Sequence, residues 1–451
     1  MFLLAGFFGG VDTFIWGLLV DWIIFTGIYF SLGIDLINLR TIPMAIRDAL
    51  KLFGQTHLSH DGQLTPMMNL IVSSGAINGL GNLTFTALAI IVAGPGVVFW
   101  SVVSGLVGFG TRFLEAYLSV QYRRRNELGE YVGGPMYYLN ACLPVGLKWM
   151  APFFAVFSLF SLLGIGNFAQ MHSLTFSMSK LMTVPLPVTS CLVAAVTSVV
   201  IFGGLKTVAR FNLILIPLAI VLNVGFCVVV LASHLDQVVA AITLIVNEAF
   251  HPSAIFGGTM VAVIEIGIRS GIFSNGAALG REVVLQASAS PADPFYQGCV
   301  SVLVGLIDLI LVFLTSLVIV MSKTYLTMQE PSYVLWNSFN WGIAGSGWLL
   351  FAIAIPMALT TIATFCVIGE RSFEFLFGAR RRTLFRSLWI CGVLVGPFLS
   401  IQFIKTLYAI ASSLQCLPNL IGLVVVSSVT FPEIRSRFQA LSGIKSSIPQ
   451  L

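Results

Sequence analysis

Two stretches of this sequence place small and polar residues inside otherwise hydrophobic runs. The first is Ser73–Asn82, and the second is Ile264–Gly280, which contains two charges and the pair Ser274-Asn275. In hydrocarbon every backbone N–H and C=O needs a partner, so such an interrupted span must be packed inside protein or line a polar cavity. An unwound helix offers free N–H groups to a carboxylate and free carbonyls to a cation. The two stretches therefore predict a site for a zwitterionic amino acid carried with a small cation.

The amino-acid composition indicates that most of the protein surface faces the hydrocarbon of a membrane. Of 451 residues, 57% are hydrophobic and 9% are charged, with a mean hydropathy of +0.96. Soluble proteins carry roughly 25% charged residues. The chain is therefore a polytopic membrane protein, and its net charge of +5 is explained by loop charges rather than by nucleic-acid binding.

The seven cysteines lie in or beside apolar runs without a CxxC pair, which favours buried apolar residues over a disulfide or metal site. The N-terminus has no basic flank or cleavage motif, and we expect a retained span rather than a signal peptide.

Spans of about 20 apolar residues can be placed about eleven times along the chain. Two of them, Met67–Ala93 and Ile255–Leu279, are broken. If the N-terminus lies outside, eighteen Lys and Arg residues fall on the inner side, and only Lys180, Lys323 and Lys405 fall in outer loops. This asymmetry predicts a cell-membrane protein with an outer N-terminus and a cytoplasmic C-terminus.

The positions of the breaks predict an inverted repeat. Without the first span, ten remain, and a broken span opens each set of five; an odd number per set places the sets in opposite orientations. We expect one transmembrane transporter domain, 1–451, whose parts are an extra span and inner loop at 1–66, a first repeat at 67–232, a second repeat at 255–430 and a tail at 431–451.

The segment Thr324–Asn340, between the eighth and ninth spans, contains Glu330 and Pro331. It has two interpretations. It forms a lid on the outer face, or it is an interfacial segment anchored by Trp336 and Trp341.

Hydroxyl and ionisable groups inside the spans are further candidates. Thr360 and Thr361 complete an oxygen cage for sodium with carbonyls of the first break, or they bond back to their own helical turn. Ionisable groups in a membrane are costly and suggest function. Asp308 has no local partner, which makes it a proton or cation candidate, with a hydrogen-bonded structural role as the alternative.

Two pairs of opposite charge lie within single spans. Arg112 and Glu115 are three residues apart, and we expect a structural ion pair rather than a proton relay. Glu265 and Arg269, four residues apart, have the favourable polarity.

Several longer motifs resemble the alanine or glycine:cation symporter family. They follow the family order over essentially the whole chain, and the most specific are GGPMYY at Gly133–Tyr138 and GIFSN at Gly271–Asn275. The others are GLGN at Gly79–Asn82, AGPGVVFW at Ala93–Trp100, Arg112–Glu115, Gly166–Gln170, Gly203-Gly204, Ile307-Asp308, Gly369–Arg371 and Pro418–Ile421.

The resemblance implies an all-α, leucine-transporter-like fold with a five-plus-five inverted repeat and one extra N-terminal helix. It also implies sodium-coupled uptake of alanine or glycine. The substrate site would be formed by Gly79, Leu80, Gly81, Gln170, Phe273, Ser274, Asn275 and Phe365. Sodium would be bound by carbonyls near Ile77 and Leu80 together with Thr360 and Thr361.

The departures from the family pattern lie at this site. The family typically has GTGN where this chain has Leu80, and FSNEAG where this chain has Gly276, so a hydroxyl and a carboxylate are absent. A tryptophan is replaced by Phe365, and an acidic residue before Pro418 is missing. We therefore expect a substrate preference shifted from strict alanine and glycine.

Other function classes remain to be compared. A proton-coupled or uncoupled carrier of another small solute is the main alternative, because the altered positions lie near the breaks. A channel would need a continuous polar ring, and an enzyme would need convergent catalytic groups, whereas the five histidines are scattered. We expect no enzyme activity, no cofactor besides the coupling sodium ion, and no nucleic-acid or obligate protein partner; the expected partners are a small amino acid, sodium and the bilayer.

Overall fold

The computed structural model describes residues 2–52, 64–251, 259–289, 293–327 and 330–442, nearly all of them helical. The first helices are α1 (Phe2–Gly33), α2 (Ile37–Arg40), α3 (Ile42–Leu52), α4 (Pro66–Ile77), α5 (Leu80–Ala93) and α6 (Gly96–Gln121). The chain turns by 73° after α1, where Asp35 and Leu36 have positive φ. Thr65 caps α4 by accepting from the Met68 N–H at 3.2 Å, and Pro66 occupies the first helical position.

An antiparallel hairpin follows α6, with β1 (Arg124–Arg125) paired to β2 (Tyr131–Val132). The remaining helices of the first half are α7 (Pro135–Cys142), α8 (Met150–Leu162), α9 (Ala169–Met182), α10 (Leu186–Phe202) and α11 (Leu205–Ser233). A π-helical segment, Leu163–Phe168, joins α8 to α9. Such widened turns often occur at functional sites.

The second half begins with a helix that the sequence analysis did not identify. Its helices are α12 (Leu235–Phe250), α13 (Met260–Asn275), α14 (Val283–Gln286), α15 (Pro294–Ser322), α16 (Pro331–Gly342), α17 (Gly347–Phe377), α18 (Arg382–Val395) and α19 (Ile401–Ser442). Short 3-10 turns lie at Val145–Leu147, Thr324–Leu326, Ala379–Arg381 and Gly396–Phe398. On α12, Ala241, Ile245 and Ala249 are buried four residues apart, and this stripe packs against α6.

The two halves interleave around the broken spans. The α6 helix packs along α13 and α15, α11 packs on α17 and α4, and α8 packs on α19. The α1 helix lies outside this core against α6 and α19. Both breaks are consequently enclosed by helices from both halves.

The helix lengths in the structure can be compared with the predicted membrane spans. Among the described residues, seven helical stretches are long and apolar enough to cross a membrane, or eight if the bent stretch at Leu19–Arg47 is one span. The helices α10, α13 and α18, where spans are predicted, have 17, 16 and 14 residues. The count of about eleven stays a prediction. The predicted tail is helical as far as Ser442, because α19 continues to that residue; Ile255 lies outside the described residues.

Candidate substrate and cation site

The first break is a short interruption between two regular helices. The α4 helix ends at Ile77, Asn78 and Gly79 leave the helical conformation, and α5 begins at Leu80. Glycine is required at position 79 by space. A Cβ there would lie 2.9 Å from Thr361 Oγ1 and 3.0 Å from Gln170 Nε2. Side chains of two other helices therefore approach the backbone closely at Gly79.

Gln170, which is predicted to bind substrate, lies against the first break. It lies just after the π-helical segment and donates from Nε2 to Ile165 O at 3.1 Å. Its Oε1 accepts from the Gly81 N–H at 3.2 Å. Within the described part of the chain, the neighbouring Leu80 N–H has no hydrogen-bond acceptor. The beginning of α5 thus presents an N–H group beside a fixed amide.

The two predicted threonines behave differently. Thr361 donates to Gly75 O on α4 at 3.0 Å, so it joins α17 to the first break. Thr360 donates to Pro356 O at 2.7 Å within its own helix. Thr360 therefore bonds back to its own helical turn, and its role as a sodium ligand stays a prediction. At Leu80 the carbonyl accepts from Thr84 Oγ1 at 2.8 Å.

The second break lies further along the chain than the glycine pattern suggests. The α13 helix continues through Gly267 and Gly271 and ends at Asn275. Those two glycines are packing positions, because a Cβ on either would collide with α6. Unwinding begins at Gly276, where φ is +71°, and Ala278 also has positive φ. The next helix, α14, has only four residues.

Side chains from other helices satisfy the carbonyls of this second break. Arg112 of α6 donates to Asn275 O. From α19, Gln415 donates to Leu279 O at 2.6 Å, and Asn419 donates to Ala278 O at 2.9 Å. Sequence reasoning did not identify these supporting roles, since the donors lie more than 130 positions from their acceptors along the chain.

The predicted ion pair between Arg112 and Glu115 is wrong, because each side chain has other hydrogen-bond partners. Besides Asn275 O, Arg112 donates to Ser301 O at 3.1 Å. Glu115 instead accepts from Asn419 Nδ2 at 2.6 Å. The Asn275 Nδ2 atom lies 3.5 Å from the position that a Cβ on Gly105 or Gly108 of α6 would take. Direct contact of Asn275 with the substrate stays a prediction.

Asp308 has partners that are distant in sequence. Its Oδ2 accepts from Ser274 Oγ at 2.6 Å, and its Oδ1 lies 3.3 Å from Asn82 Nδ2. The same nitrogen donates to Ile77 O and lies 3.2 Å from Ser274 O and 3.4 Å from Ser274 Oγ. We call Ile77 O, Asn82, Ser274 and Asp308 the Asn82 hub. It joins both breaks and α15.

The Asn82 hub contains more acceptors than donors. Four oxygens surround an amide nitrogen that has only two hydrogens, so the amide cannot satisfy all of them. Among the described residues there is no group of three or more His, Cys, Asp or Glu suited to a metal. Carbonyl, hydroxyl and carboxylate oxygens instead match the preferences of a hard cation such as sodium.

The family pattern has a carboxylate at the position of Gly276, and in this structure the carboxylate of Glu282 lies beside that glycine. A Cβ on Gly276 would collide with the carboxylate of Glu282. Glu282 pairs with Arg281, whose Nε lies 3.2 Å from Glu282 Oε1, and both side chains are buried. Arg281 also donates to Tyr408 OH at 3.2 Å.

Aromatic side chains separate the breaks from an open cavity. Phe273 and Phe85 each pack against Tyr408, with ring centroids 4.6 and 6.3 Å away. These three rings line a cavity of about 260 Å³ that also reaches Lys405. The ring of Phe365 fills the space beside Gly166 and lies 5.5 Å from the Arg281 guanidinium.

The opposite end of the molecule is closed by ion pairs. Glu130, in the hairpin, pairs with Arg371 at 2.9 Å and Arg382 at 2.8 Å. Partial burial favours a raised pKa, but Arg382 and Arg371 outweigh it and lower the pKa of Glu130 to about 2. Glu370 adds a pair with Arg386 at 2.5 Å. The charged network therefore holds the hairpin against α17 and α18 at neutral pH.

Comparison with known proteins agrees with this geometry. The model of the sodium:alanine symporter family matches residues 1–446. The chain belongs to that family. An uncharacterised transporter of Haemophilus influenzae is 32% identical over 441 residues, covering 96% of this symporter-family chain and 95% of that protein. The sodium/alanine symporter AgcS of Methanococcus maripaludis is 30% identical over 437 residues, with coverages of 94% and 95%.

A solved structure supports the fold of this family member. The crystal structure of MhsT in complex with L-phenylalanine matches with a TM-score of 0.59 at 15% identity, covering 82% of this chain and 90% of that one. The predicted family and the leucine-transporter-like inverted-repeat fold are confirmed. The chain is a multi-pass membrane transporter rather than an enzyme, and its family is one of cation-coupled amino-acid symporters.

Proposed function

We propose that this protein imports a small neutral amino acid of the alanine or glycine type together with sodium, by alternating access. The observation that supports the proposal is the Asn82 hub, where oxygens from the first break, the second break and α15 converge. A cation bound there would link the two broken spans. The sodium/alanine symporter AgcS is a relative whose named activity agrees with this proposal.

The hub would accept sodium after one local change. Turning the Asn82 amide by 180° exchanges its nitrogen and oxygen and adds another oxygen to those of Ile77, Ser274 and Asp308. The Asp308 carboxylate supplies a negative charge, which offsets the cost of a cation in a buried site. A second candidate sodium position would use Thr361 Oγ1, one of the predicted ligands, together with Gly75 O, 3.0 Å away.

The substrate would bind next to this cation. Its carboxylate would approach the N–H groups at the start of α5, where Leu80 N–H is available and Gln170 holds Gly81 in place. The rings of Phe273, Phe365 and Tyr408 would surround the side chain of the substrate. This arrangement binds a zwitterion without a charged side chain directly on the carboxylate.

Alternating access would use the two closures already described. The ring layer of Phe85, Phe273 and Tyr408 faces the open cavity, and the Glu130 network closes the other end. With the predicted orientation, the Glu130 end is cytoplasmic and the Lys405 end faces outside the cell membrane. The network must open to release substrate on the cytoplasmic side.

Flux measurements test the proposal. Purified protein in liposomes is expected to accumulate radiolabelled alanine when sodium is high outside, with no requirement for a proton gradient. Accumulation driven by a proton gradient in sodium-free buffer would instead support the second candidate, a proton-coupled carrier. That candidate is favoured by one observation, the buried carboxylate of Asp308 at the hub. Absence of alanine flux under both gradients would contradict both candidates for this substrate.

A further inference from the structure

A second cavity lies beside the one lined by Phe85, Phe273 and Tyr408. It measures about 200 Å³ and is formed by α5, α9, α16 and α19. None of the residues predicted to bind substrate lines it. The two cavities share Phe85, Leu88 and Lys405 in their walls, so the second cavity adjoins the route to the breaks without being part of the central site.

Two opposite charges face this second cavity from different helices. Lys405 comes from the second turn of α19, and Glu330 occupies the N-cap position of α16 without a side-chain hydrogen bond to it. Both side chains are partly buried. Within the described part of the chain, neither makes a hydrogen bond or a direct ion pair through its side chain. Partial burial of charges that no direct hydrogen bond satisfies costs free energy, which a zwitterionic ligand placed between them would recover.

Other lining groups define what such a ligand can be. His172 also lines the cavity, and its Nδ1 is buried without a hydrogen-bond partner among the described residues. Phe85, Leu88 and Phe176 supply apolar surface. A volume of about 200 Å³ is below the roughly 300 Å³ at which pockets for drug-sized ligands begin. Size and charge together indicate a small zwitterion.

We infer that this cavity is a second binding site for a small zwitterionic amino acid, whose carboxylate pairs with Lys405 and whose ammonium group pairs with Glu330. The inference rests on the proposed function, since the ligand belongs to the same substrate class. The apolar wall accommodates a short side chain. An amino acid bound here stands next to the cavity that leads to Phe273 and Tyr408, before the central site.

Binding stoichiometry of radiolabelled L-alanine at saturating sodium tests the inference on the full-length protein in lipid nanodiscs. Wild type is expected to bind two equivalents, and Lys405→Met and Glu330→Gln one each. Gln170→Ala, which alters the central site, should retain one equivalent, and that one should disappear in Gln170→Ala with Lys405→Met. The matched controls Lys323→Met and Asp236→Asn remove exposed charges and should bind two equivalents.

The outcomes separate the second site from the central one. One equivalent in wild type that is unchanged by Lys405→Met would overturn the inference and leave the proposed function intact. Binding that survives Gln170→Ala in full but vanishes in Lys405→Met would place the principal site here and contradict the central assignment. Competition by propionate as strong as by glycine would also overturn the inference, because a site for anions alone does not need Glu330.

Discussion

The two broken spans supply partners for their unwound peptide groups in different ways. The first interruption has only Asn78 and Gly79 outside helices. The second extends from Gly276 to the four-residue helix α14, and its carbonyls accept from Arg112, Gln415 and Asn419. The first break is therefore shaped mainly by its own helices, whereas the shape of the second depends on side chains from α6 and α19. Substitutions of the residues that support the second break should lower the stability of the fold. Substitutions around the first break should change the affinity for substrate and sodium.

The largest effect is expected from Asn419→Ala. The substitution removes the donor to the buried Glu115 side chain and to Ala278 O, and leaving a buried acceptor without a partner costs about 1–3 kcal/mol. The thermal unfolding temperature of the purified protein should fall clearly. Gln121→Ala is the control, because Gln121 also donates to a carboxylate, that of Glu433, but at the surface. Equal unfolding temperatures for Asn419→Ala and Gln121→Ala would show that the second break does not need this support.

Asp308→Asn tests whether the two breaks share a cation. The change keeps the size of the side chain but removes the negative charge from the Asn82 hub, so sodium should no longer increase alanine uptake. Asp293→Asn, at the exposed start of the same helix, is the control and should respond to sodium like wild type. If Asp308→Asn reaches half-maximal uptake at the same sodium concentration as wild type, the Asn82 hub does not take part in sodium coupling.

The double variant Leu80→Thr with Phe365→Trp tests how the two breaks determine substrate specificity. Leu80 lies at the first break, and Phe365 lies beside Arg281 near the second break. We expect the double variant to favour alanine and glycine over larger neutral amino acids by about tenfold more than wild type does, since one methylene of fit is worth roughly 1–3 kcal/mol. A competition panel measures this. Phe373→Trp, further along the same helix, should not change the rank order. If the double variant also leaves it unchanged, specificity is determined elsewhere.

The smallest effect separates the two threonines at the first break. Thr361→Ala removes a hydrogen bond to Gly75 O, which is worth about 0.5–1.5 kcal/mol and at most roughly tenfold in sodium affinity. Thr360→Ala removes only a bond within its own helix. Sodium titration of uptake should therefore show a shift for Thr361→Ala alone, and a larger shift for Thr360→Ala would reverse the assignment.

The sequence predicts local features well and their partners poorly. The Gly79 break is visible because glycine and asparagine interrupt an apolar run, and Gln170 is found through the family motif. The second break is displaced because Gly267 and Gly271 look like hinge residues although they pack against α6. The partners of Asp308 lie 34 and 226 positions away, and no local pattern indicates such contacts.

The carboxylate at the second break shows the same limit. Gly276 suggests that the family's carboxylate is lost, yet Glu282 occupies the space beside that glycine. Only the three-dimensional turn, with positive φ at Gly276, Ala278 and Gly280, brings the two positions together. Specificity therefore cannot be inferred from position 276 alone.

The central claim is that one cation at the Asn82 hub couples sodium to the substrate. The most direct measurement is alanine affinity of the purified protein as a function of sodium concentration, with choline keeping the ionic strength constant. We expect sodium to raise the affinity for alanine, and alanine to raise the affinity for sodium by the same factor, because the coupling is reciprocal. An alanine affinity that is identical without sodium and at saturating sodium would contradict the claim.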